Sequence, residues 1–180
     1  EEPEAQLLFV NFATFDYRKG LTDFPGVMLN YGACRPDSRG TLTLRSPDPR
    51  DPPVIRPNYL DHPNDLRVML GAAAICRRIA AQAPFRDLIE EELRPGPDST
   101  SDAATEANIR ATSGTVFHPC GTARMGSDDR AVLDPALRVR GVEGLRVADA
   151  SVFPLIPSPN IQPAALMVGE RCAEFLRRAA

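Results

Sequence analysis

The chain has 180 residues, of which 43% are hydrophobic and 25% are charged, and its formal net charge is −3. This composition is typical of a folded protein with an apolar core, and the length excludes a short peptide module. The 21 Lys and Arg residues are scattered rather than gathered in a basic stripe, which argues against a nucleic-acid partner. No apolar run approaches the roughly 18 residues of a membrane span, so we expect a soluble, cytoplasmic protein.

Cysteine and histidine usage bears on redox state and metal binding. The four cysteines are dispersed and lack Cys-x-x-Cys spacing, so we expect free thiols. The two histidines, His62 and His118, lie far apart in the sequence, so we predict no metal site. The chain begins at Glu1 rather than at Met, which we interpret as an internal position of a longer protein or as a product of processing.

The front of the chain predicts β-structure. Residues 7–10 and 27–31 are apolar and β-inclined, and both are predicted strands. The alternation in residues 40–45 predicts a third strand. The proline-rich residues 46–53 predict a turn into a fourth strand at residues 54–56, paired antiparallel with the third. An irregular proline-rich loop is the alternative for this last unit.

Proline and capping residues predict the helices. Pro63 suits a first helical turn, and Pro84 stops the apolar periodicity that follows it. Ser101 or Asp102 can cap a helix that runs to Ser113. The predicted helices cover residues 63–83, a short stretch within 85–93, residues 102–113 and residues 163–178.

The segment before the last helix is the most irregular part of the chain. Residues 145–148 have the composition of a buried strand that ends at Asp149. The closely spaced prolines of residues 153–159 exclude regular structure there. Pro163 can occupy the first turn of the last helix, so Asn160 lies just ahead of a helix N-terminus, which favours negative charge.

The sequence Phe-His-Pro-Cys-Gly-Thr-Ala-Arg-Met-Gly at residues 117–126 contains the main candidate for chemistry. His118 and Asn160 both lie in irregular segments where a strand or helix ends. They can converge on one substrate oxygen, with the histidine as base and the asparagine as hydrogen-bond donor. The alternative is a structural histidine that bonds nearby backbone, and the residues alone leave both interpretations open.

Other polar side chains have simpler interpretations. Cys120 is close to His118 in sequence, but neighbours on an extended chain point apart, which argues against a thiol nucleophile. Asp134 is interpreted as a turn residue and His62 as a surface residue at a helix start. Arg124 is interpreted as solvated or ion-paired, with attraction of an anionic group as the alternative.

Three segments in order carry a resemblance to a known family. Residues 117–126, 145–154 and 159–170 are similar to the C-terminal signature of the glucose-methanol-choline (GMC) family of FAD-dependent alcohol oxidoreductases. The resemblance implies an α+β fold, in which an antiparallel substrate-domain sheet with packing helices is joined by a C-terminal strand and helix that complete an FAD-binding domain. Residues 1–140 would form the substrate-binding domain and residues 141–180 the segment that returns to the FAD-binding domain.

The resemblance also implies site residues and a reaction. His118 would be the active-site base and Asn160 its partner, in the oxidation of a primary alcohol to an aldehyde with hydride transfer to flavin N5. Asp149 and Ala150 would approach the linker of FAD, and Ile161 and Gln162 would lie near the pyrimidine edge of the flavin. The implied cofactor-binding residues are Asp149, Ala150, Asn160, Ile161 and Gln162.

The chain also departs from the family pattern. Pro159 and Gln162 stand where many choline-dehydrogenase-like members have Gly and Asn, so we do not carry choline over as the substrate. No Gly-x-Gly-x-x-Gly turn for the ADP part of FAD is present. We therefore predict that the chain needs an N-terminal FAD-binding portion of the same protein to hold FAD and to act on a small alcohol. The alternative is a non-catalytic substrate-domain or interaction module.

Overall fold

The computed structural model describes residues 2–157 and 159–179, which form two compact units. The first unit comprises the chain up to Arg39 together with Asn58–Ser113, and the second comprises Gly40–Pro57 together with the chain from Gly114 onward. The strands are β1 (Ala5–Val10), β2 (Met28–Ala33), β3 (Thr41–Thr43) and β4 (Val54–Arg56). The α-helices are α1 (Pro63–Ala80), α2 (Asp102–Thr112) and α3 (Gln162–Ala179).

The predicted α+β fold class is confirmed, because small antiparallel sheets are combined with packing helices. Strand β1 pairs antiparallel with β2, from Ala5 opposite Ala33 to Val10 opposite Met28. Strand β3 pairs antiparallel with β4 in a separate hairpin, as the alternation predicted. The assignment of residues 1–140 and 141–180 to two domains stays a prediction.

In the first unit, α1 packs on the β1–β2 pair and against α2. The helix begins as predicted, with Pro63 in its first turn and the His62 side chain accepting the backbone N–H of Asn64 at 3.3 Å. Its buried residues include Ala72 and Cys76, which contribute to a small apolar core with Ile109 of α2. No helix in the described residues is long and apolar enough to cross a lipid bilayer.

A buried carboxylate fixes the start of α1. Asp65 is only 3% exposed, and its two oxygens accept the backbone N–H groups of Asp37 at 2.6 Å and Ser38 at 3.0 Å. The Asn64 amide donates to the Asp37 carboxylate at 2.7 Å. The side chains of Asp37, His62 and Asp65 offer ligand atoms within 4.8 Å of one another. Because both Asp65 oxygens already accept backbone N–H groups, the cluster is explained as a connection between loop and helix.

Two predicted elements are shorter in the structure than the sequence predicted. Residues 85–93 contain only a 3-10 turn at Arg86–Leu88 instead of a short α-helix. Residues 145–148 form no continuous strand in the described part of the chain, and their pairing is limited to a bridge between Arg138 and Arg146. Leu145 is 49% exposed, whereas Val147 and Ala148 are partly buried against the apolar cluster of the second unit, so the stretch is only partly buried. A strand needs a neighbour along its whole length, and here the partner segment is short.

The second unit is organised around one apolar cluster. Helix α3 begins one residue before the predicted start, so Pro163 lies in its first turn as expected. The helix packs on a 3-10 turn at Ala150–Val152. Val152 is completely buried and anchors the contact. The buried members of the cluster are Leu133, Leu137, Val152, Phe153, Val168 and Cys172.

Cys34, Cys76, Cys120 and Cys172 form no disulfide in the part of the chain that the structure describes. Burial raises the pKa of the Cys34 and Cys76 thiols above the ordinary value. These two cysteines therefore behave as small apolar core residues rather than as nucleophiles.

Candidate active site

The segment that follows His118 is bound to the turn that follows Asp149. The carbonyl oxygen of Ser151 accepts the backbone N–H groups of Gly121 and Ala123, both at 3.1 Å, and the carbonyl of Val152 accepts that of Met125 at 2.8 Å. These three bonds join the first two sequence motifs directly.

Asp149 fixes the geometry of this turn. Its carboxylate accepts the backbone N–H of Ser151 at 2.8 Å and caps the 3-10 turn Ala150–Val152. The carbonyl of Ser151, which receives the His118 segment, therefore belongs to a turn that Asp149 stabilises. Asp149, which the sequence predicts to bind the cofactor, is therefore connected through this turn to the segment of the candidate base.

The third motif contributes the start of α3. Asp149 and Gln162 line the same shallow depression, of about 350 Å³, which is open to solvent. Two of the five predicted cofactor residues thus share one surface. The lining residues are Ala148, Asp149, Gln162, Ala165, Leu166, Gly169 and Glu170.

The remaining predicted site residues differ in their exposure. His118 and Ala150 are half-buried, and Asn160 is exposed. Ile161 is 5% exposed, so its side chain belongs to the protein interior, while its carbonyl accepts the backbone N–H of Ala165 at 2.9 Å as the first bond of α3. Any contact of Ile161 with a ligand therefore involves its backbone.

The imidazole of His118 makes no hydrogen bond to another residue in the described part of the chain. A structural histidine that bonds nearby backbone, the alternative left open by the sequence, is thus not formed with these residues. A general base needs a ring nitrogen that is not already bonded, and the described residues leave both ring nitrogens of His118 unused.

The approach to His118 has an unusual backbone that sequence reasoning missed. Phe117 adopts a left-handed conformation with φ of 60°, and its side chain is 82% exposed. Its backbone N–H donates to Thr115 Oγ1 at 2.9 Å. The signal in the sequence is the threonine two residues earlier, because Ser and Thr hydroxyls accept from backbone N–H groups at this spacing.

Arg124 is ion-paired, as one interpretation of the sequence held. Its guanidinium donates to both carboxylate oxygens of Asp128, at 2.8 and 2.6 Å. The guanidinium holds the pKa of Asp128 far below its ordinary value, and the carboxylate raises the pKa of Arg124. Arg124 is therefore neutralised locally and is a poor candidate for attracting an anionic group.

Asp134 is confirmed as a turn residue. Its carboxylate accepts the backbone N–H groups of Ala136 at 2.9 Å and Arg138 at 3.0 Å, and it pairs with the Arg138 guanidinium at 2.7 Å. Burial raises the pKa of Asp134, but the hydrogen bonds from Arg138 and Ala136 outweigh it, so the net shift is downward. The carboxylate is fully used by the turn and is not a candidate acid.

Comparison with known proteins identifies the family. The C-terminal model of the family described as GMC oxidoreductase matches residues 36–169. The chain is 39% identical to an oxygen-dependent choline dehydrogenase of Rhizobium rhizogenes, over 98% of this chain and 32% of the relative. It is 47% identical to choline oxidase of Arthrobacter globiformis, over 79% of this chain and 27% of the relative. The chain thus spans about a third of the length of these relatives.

Similar solved structures support the same family assignment. A structure of formate oxidase from Aspergillus oryzae, studied for its FAD modification, superposes with a TM-score of 0.89 at 34% identity, over 99% of this chain and 32% of that one. Pyridoxine 4-oxidase from Mesorbium loti superposes with a TM-score of 0.78 at 34% identity, over 82% and 29% of the two chains. The chain therefore belongs to the GMC oxidoreductase family and corresponds to the C-terminal region of its members.

Proposed function

We propose that this chain is the catalytic C-terminal portion of an FAD-dependent enzyme that oxidises a primary alcohol to an aldehyde. The observation that carries the proposal is the junction in which Ser151 accepts backbone N–H groups from the segment after His118. It ties the candidate base to the turn capped by Asp149. Relatives named choline dehydrogenase, choline oxidase and pyridoxine 4-oxidase support an alcohol as the substrate class.

The proposed roles follow from the side-chain chemistry. Neutral His118 accepts the hydroxyl proton of the alcohol, and the Asn160 amide donates a hydrogen bond to the same oxygen as negative charge develops on it. FAD, when bound, supplies the hydride acceptor at flavin N5. A positioned base contributes on the order of 10²–10⁴-fold to the rate, so His118 is expected to dominate the proton transfer.

The residues around the depression fit part of FAD. The carboxylate of Asp149 can accept from a ligand hydroxyl, and the amide of Gln162 can both donate to and accept from a pyrimidine edge. Gly169 adds no side chain to the surface, and a Cβ built there meets no atom within 4 Å. The first turn of α3 favours negative charge on a neighbouring ring. These residues are chemically suited to the flavin-linker and pyrimidine parts, whereas the ADP part would need a Gly-x-Gly-x-x-Gly motif, which this sequence does not contain.

Exposed apolar side chains on α3 support the proposal that another portion of the protein covers this helix. Leu166 lines the depression and is 67% exposed, and Met167 beside it is 58% exposed. A contiguous exposed apolar surface is typical of a site that another part of the protein covers, and Leu166 contributes apolar surface to the depression that Asp149 and Gln162 line. We propose that the N-terminal FAD-binding portion of the same protein covers this part of α3.

The test is to purify the complete enzyme, record its visible spectrum beside a denaturing gel, and screen substrates by dye reduction. Choline, pyridoxine and formate are probes because the similar proteins are named for them, and benzyl alcohol is added because a fungal aryl-alcohol oxidase is also structurally similar. We expect flavin absorption and dye reduction with at least one alcohol. Oxidation of formate without oxidation of any alcohol would contradict the proposed reaction. A colourless, inactive protein even with added FAD would favour the non-catalytic alternative.

A further inference from the structure

The left-handed backbone at Phe117 is accompanied by a specific hydrogen bond from its N–H group. A bulky residue with φ of 60° is an energetically costly state, since its Cβ crowds the following carbonyl oxygen. Its N–H is bonded to Thr115 Oγ1 at 2.9 Å, which offsets part of that cost. Strained backbone of this kind concentrates at functional sites, and here it directly precedes His118.

We propose that Thr115 is a positioning residue for His118, acting through the left-handed turn at Phe117. The proposal rests on the proposed function, in which His118 is the base. It adds a residue that does not touch the substrate and whose contribution is the orientation of the imidazole.

The backbone on both sides of His118 is held by hydrogen bonds. Upstream, Thr115 holds the N–H of Phe117. Downstream, Gly121 is bound to the carbonyl of Ser151 at 3.1 Å. Only three residues lie between these anchored points, and one of them is Pro119, whose ring fixes φ. The direction of the His118 side chain therefore depends on the chain path that the two anchors define.

The side chain itself does not supply this orientation. The imidazole bonds to no other residue in the part of the chain that the structure describes. A catalytic base without a side-chain partner must be oriented by its backbone, because proton transfer requires hydrogen-bond geometry to the substrate. Loss of the Thr115 hydroxyl leaves the N–H of Phe117 to water and lets the turn sample other conformations.

The experiment compares Thr115→Val, which keeps the shape and loses the acceptor, with Thr115→Ser, which keeps the acceptor. Both are made in the complete, flavin-loaded enzyme and assayed with whichever of choline, pyridoxine and benzyl alcohol it oxidises fastest. We expect kcat to fall roughly 3- to 10-fold in the Val variant, which is the scale of one hydrogen bond, and to stay within about 2-fold in the Ser variant. FAD content should not change, and the thermal unfolding midpoint should fall only slightly in the Val variant, because the Thr115 hydrogen bond is exposed to solvent.

Two further measurements separate positioning from a general structural effect. Amide hydrogen exchange at Phe117 should be faster in Thr115→Val than in Thr115→Ser. In a His118→Ala background, Thr115→Val should cause no additional loss, since residues that act as a unit are not additive.

The results of these experiments distinguish failure of the proposed role of Thr115 from failure of the proposed function. Wild-type kcat in Thr115→Val, no recovery in Thr115→Ser, or an equal further loss in the His118→Ala background would each overturn the role of Thr115 while leaving the base in place. Near-normal turnover of His118→Ala itself, or no oxidation of any of the three alcohols, would overturn the proposed function and this inference with it.

Discussion

The carbonyl of Ser151 accepts the backbone N–H of Gly121 at 3.1 Å, and this bond depends on a backbone conformation that suits glycine. Gly121 has φ of 92°, in the left-handed region that L side chains rarely adopt. A Cβ built at this position would lie 3.4 Å from the carbonyl oxygen of Phe153, which is close to ordinary van der Waals contact, so the constraint comes mainly from the φ angle. The connection between the two motifs is therefore sensitive to the addition of one methyl group.

We predict that Gly121→Ala destabilises the protein by about 1–2 kcal/mol, the cost of placing an L side chain in this region. It should also lower kcat, since the chain after His118 is anchored here. Thermal unfolding and steady-state kinetics of the flavin-loaded enzyme are the measurements.

A matched control, Gly71→Ala, is expected to change the stability in the opposite direction. Gly71 lies within α1, is exposed, and a Cβ built there meets no atom within 4 Å. Gly71→Ala should stabilise by about 0.5–1 kcal/mol through helix propensity and leave kcat unchanged. Equal effects of the two substitutions would show that the conformation of Gly121 is not a constraint.

His118→Ala in the complete enzyme should lower kcat/KM by at least about 10²-fold while FAD stays bound, because a general base is removed and the proposed flavin contacts are untouched. His62→Ala is the control, since His62 caps α1 and belongs to the other unit. It should retain kcat within about 2-fold. Near-normal turnover of His118→Ala would refute the role of the base.

Asn160→Ala should lower kcat/KM less than His118→Ala, since one hydrogen bond to a developing charge is lost rather than the base. A loss of about 10-fold or more in kcat with unchanged FAD content would support a contact with the reacting oxygen. Unchanged kinetics in this variant would instead assign Asn160 to the segment leading into α3, two residues before the first helical residue, Gln162.

The sequence predicted best those elements whose signals are local. Pro63 and Pro163 marked the first turns of α1 and α3, and Ser101 caps α2 by accepting the N–H of Ala104 at 3.2 Å. All three motifs lie in the second unit. Capping and proline geometry act within a few residues, so a single sequence contains them.

Other features depend on partners that a sequence does not show. Residues 145–148 were predicted as a buried strand from composition, but composition does not specify a neighbouring strand to pair with. The left-handed Phe117 was missed because a bulky aromatic residue rarely adopts positive φ. The buried Asp65 was missed because its partners at residues 37 and 38 are distant in sequence.

Asp65→Ala should destabilise the protein by about 2–4 kcal/mol, because it leaves the N–H groups of Asp37 and Ser38 without their acceptor. Asp65→Asn should cost less, since the amide oxygen can still accept one of the two. Chemical denaturation measured by far-ultraviolet circular dichroism gives both values. Equal stability of the Ala variant and the wild type would show that water replaces the carboxylate at this position.

The exposed pair Arg124–Asp128 gives a prediction about pH. The guanidinium holds the pKa of Asp128 below its ordinary value of 3.8, so the pair favours the folded state above that pH, and the contribution is lost as pH falls through the folded pKa. Carbon-13 NMR of labelled aspartate should show Asp128 titrating below 3.8 in the wild type and close to it in Arg124→Gln. Arg130→Gln is the control, because the backbone N–H of Arg130, rather than its guanidinium, donates to Asp128 at 3.0 Å. An unchanged titration in Arg124→Gln would show that backbone donors, and not the ion pair, set the pKa of Asp128.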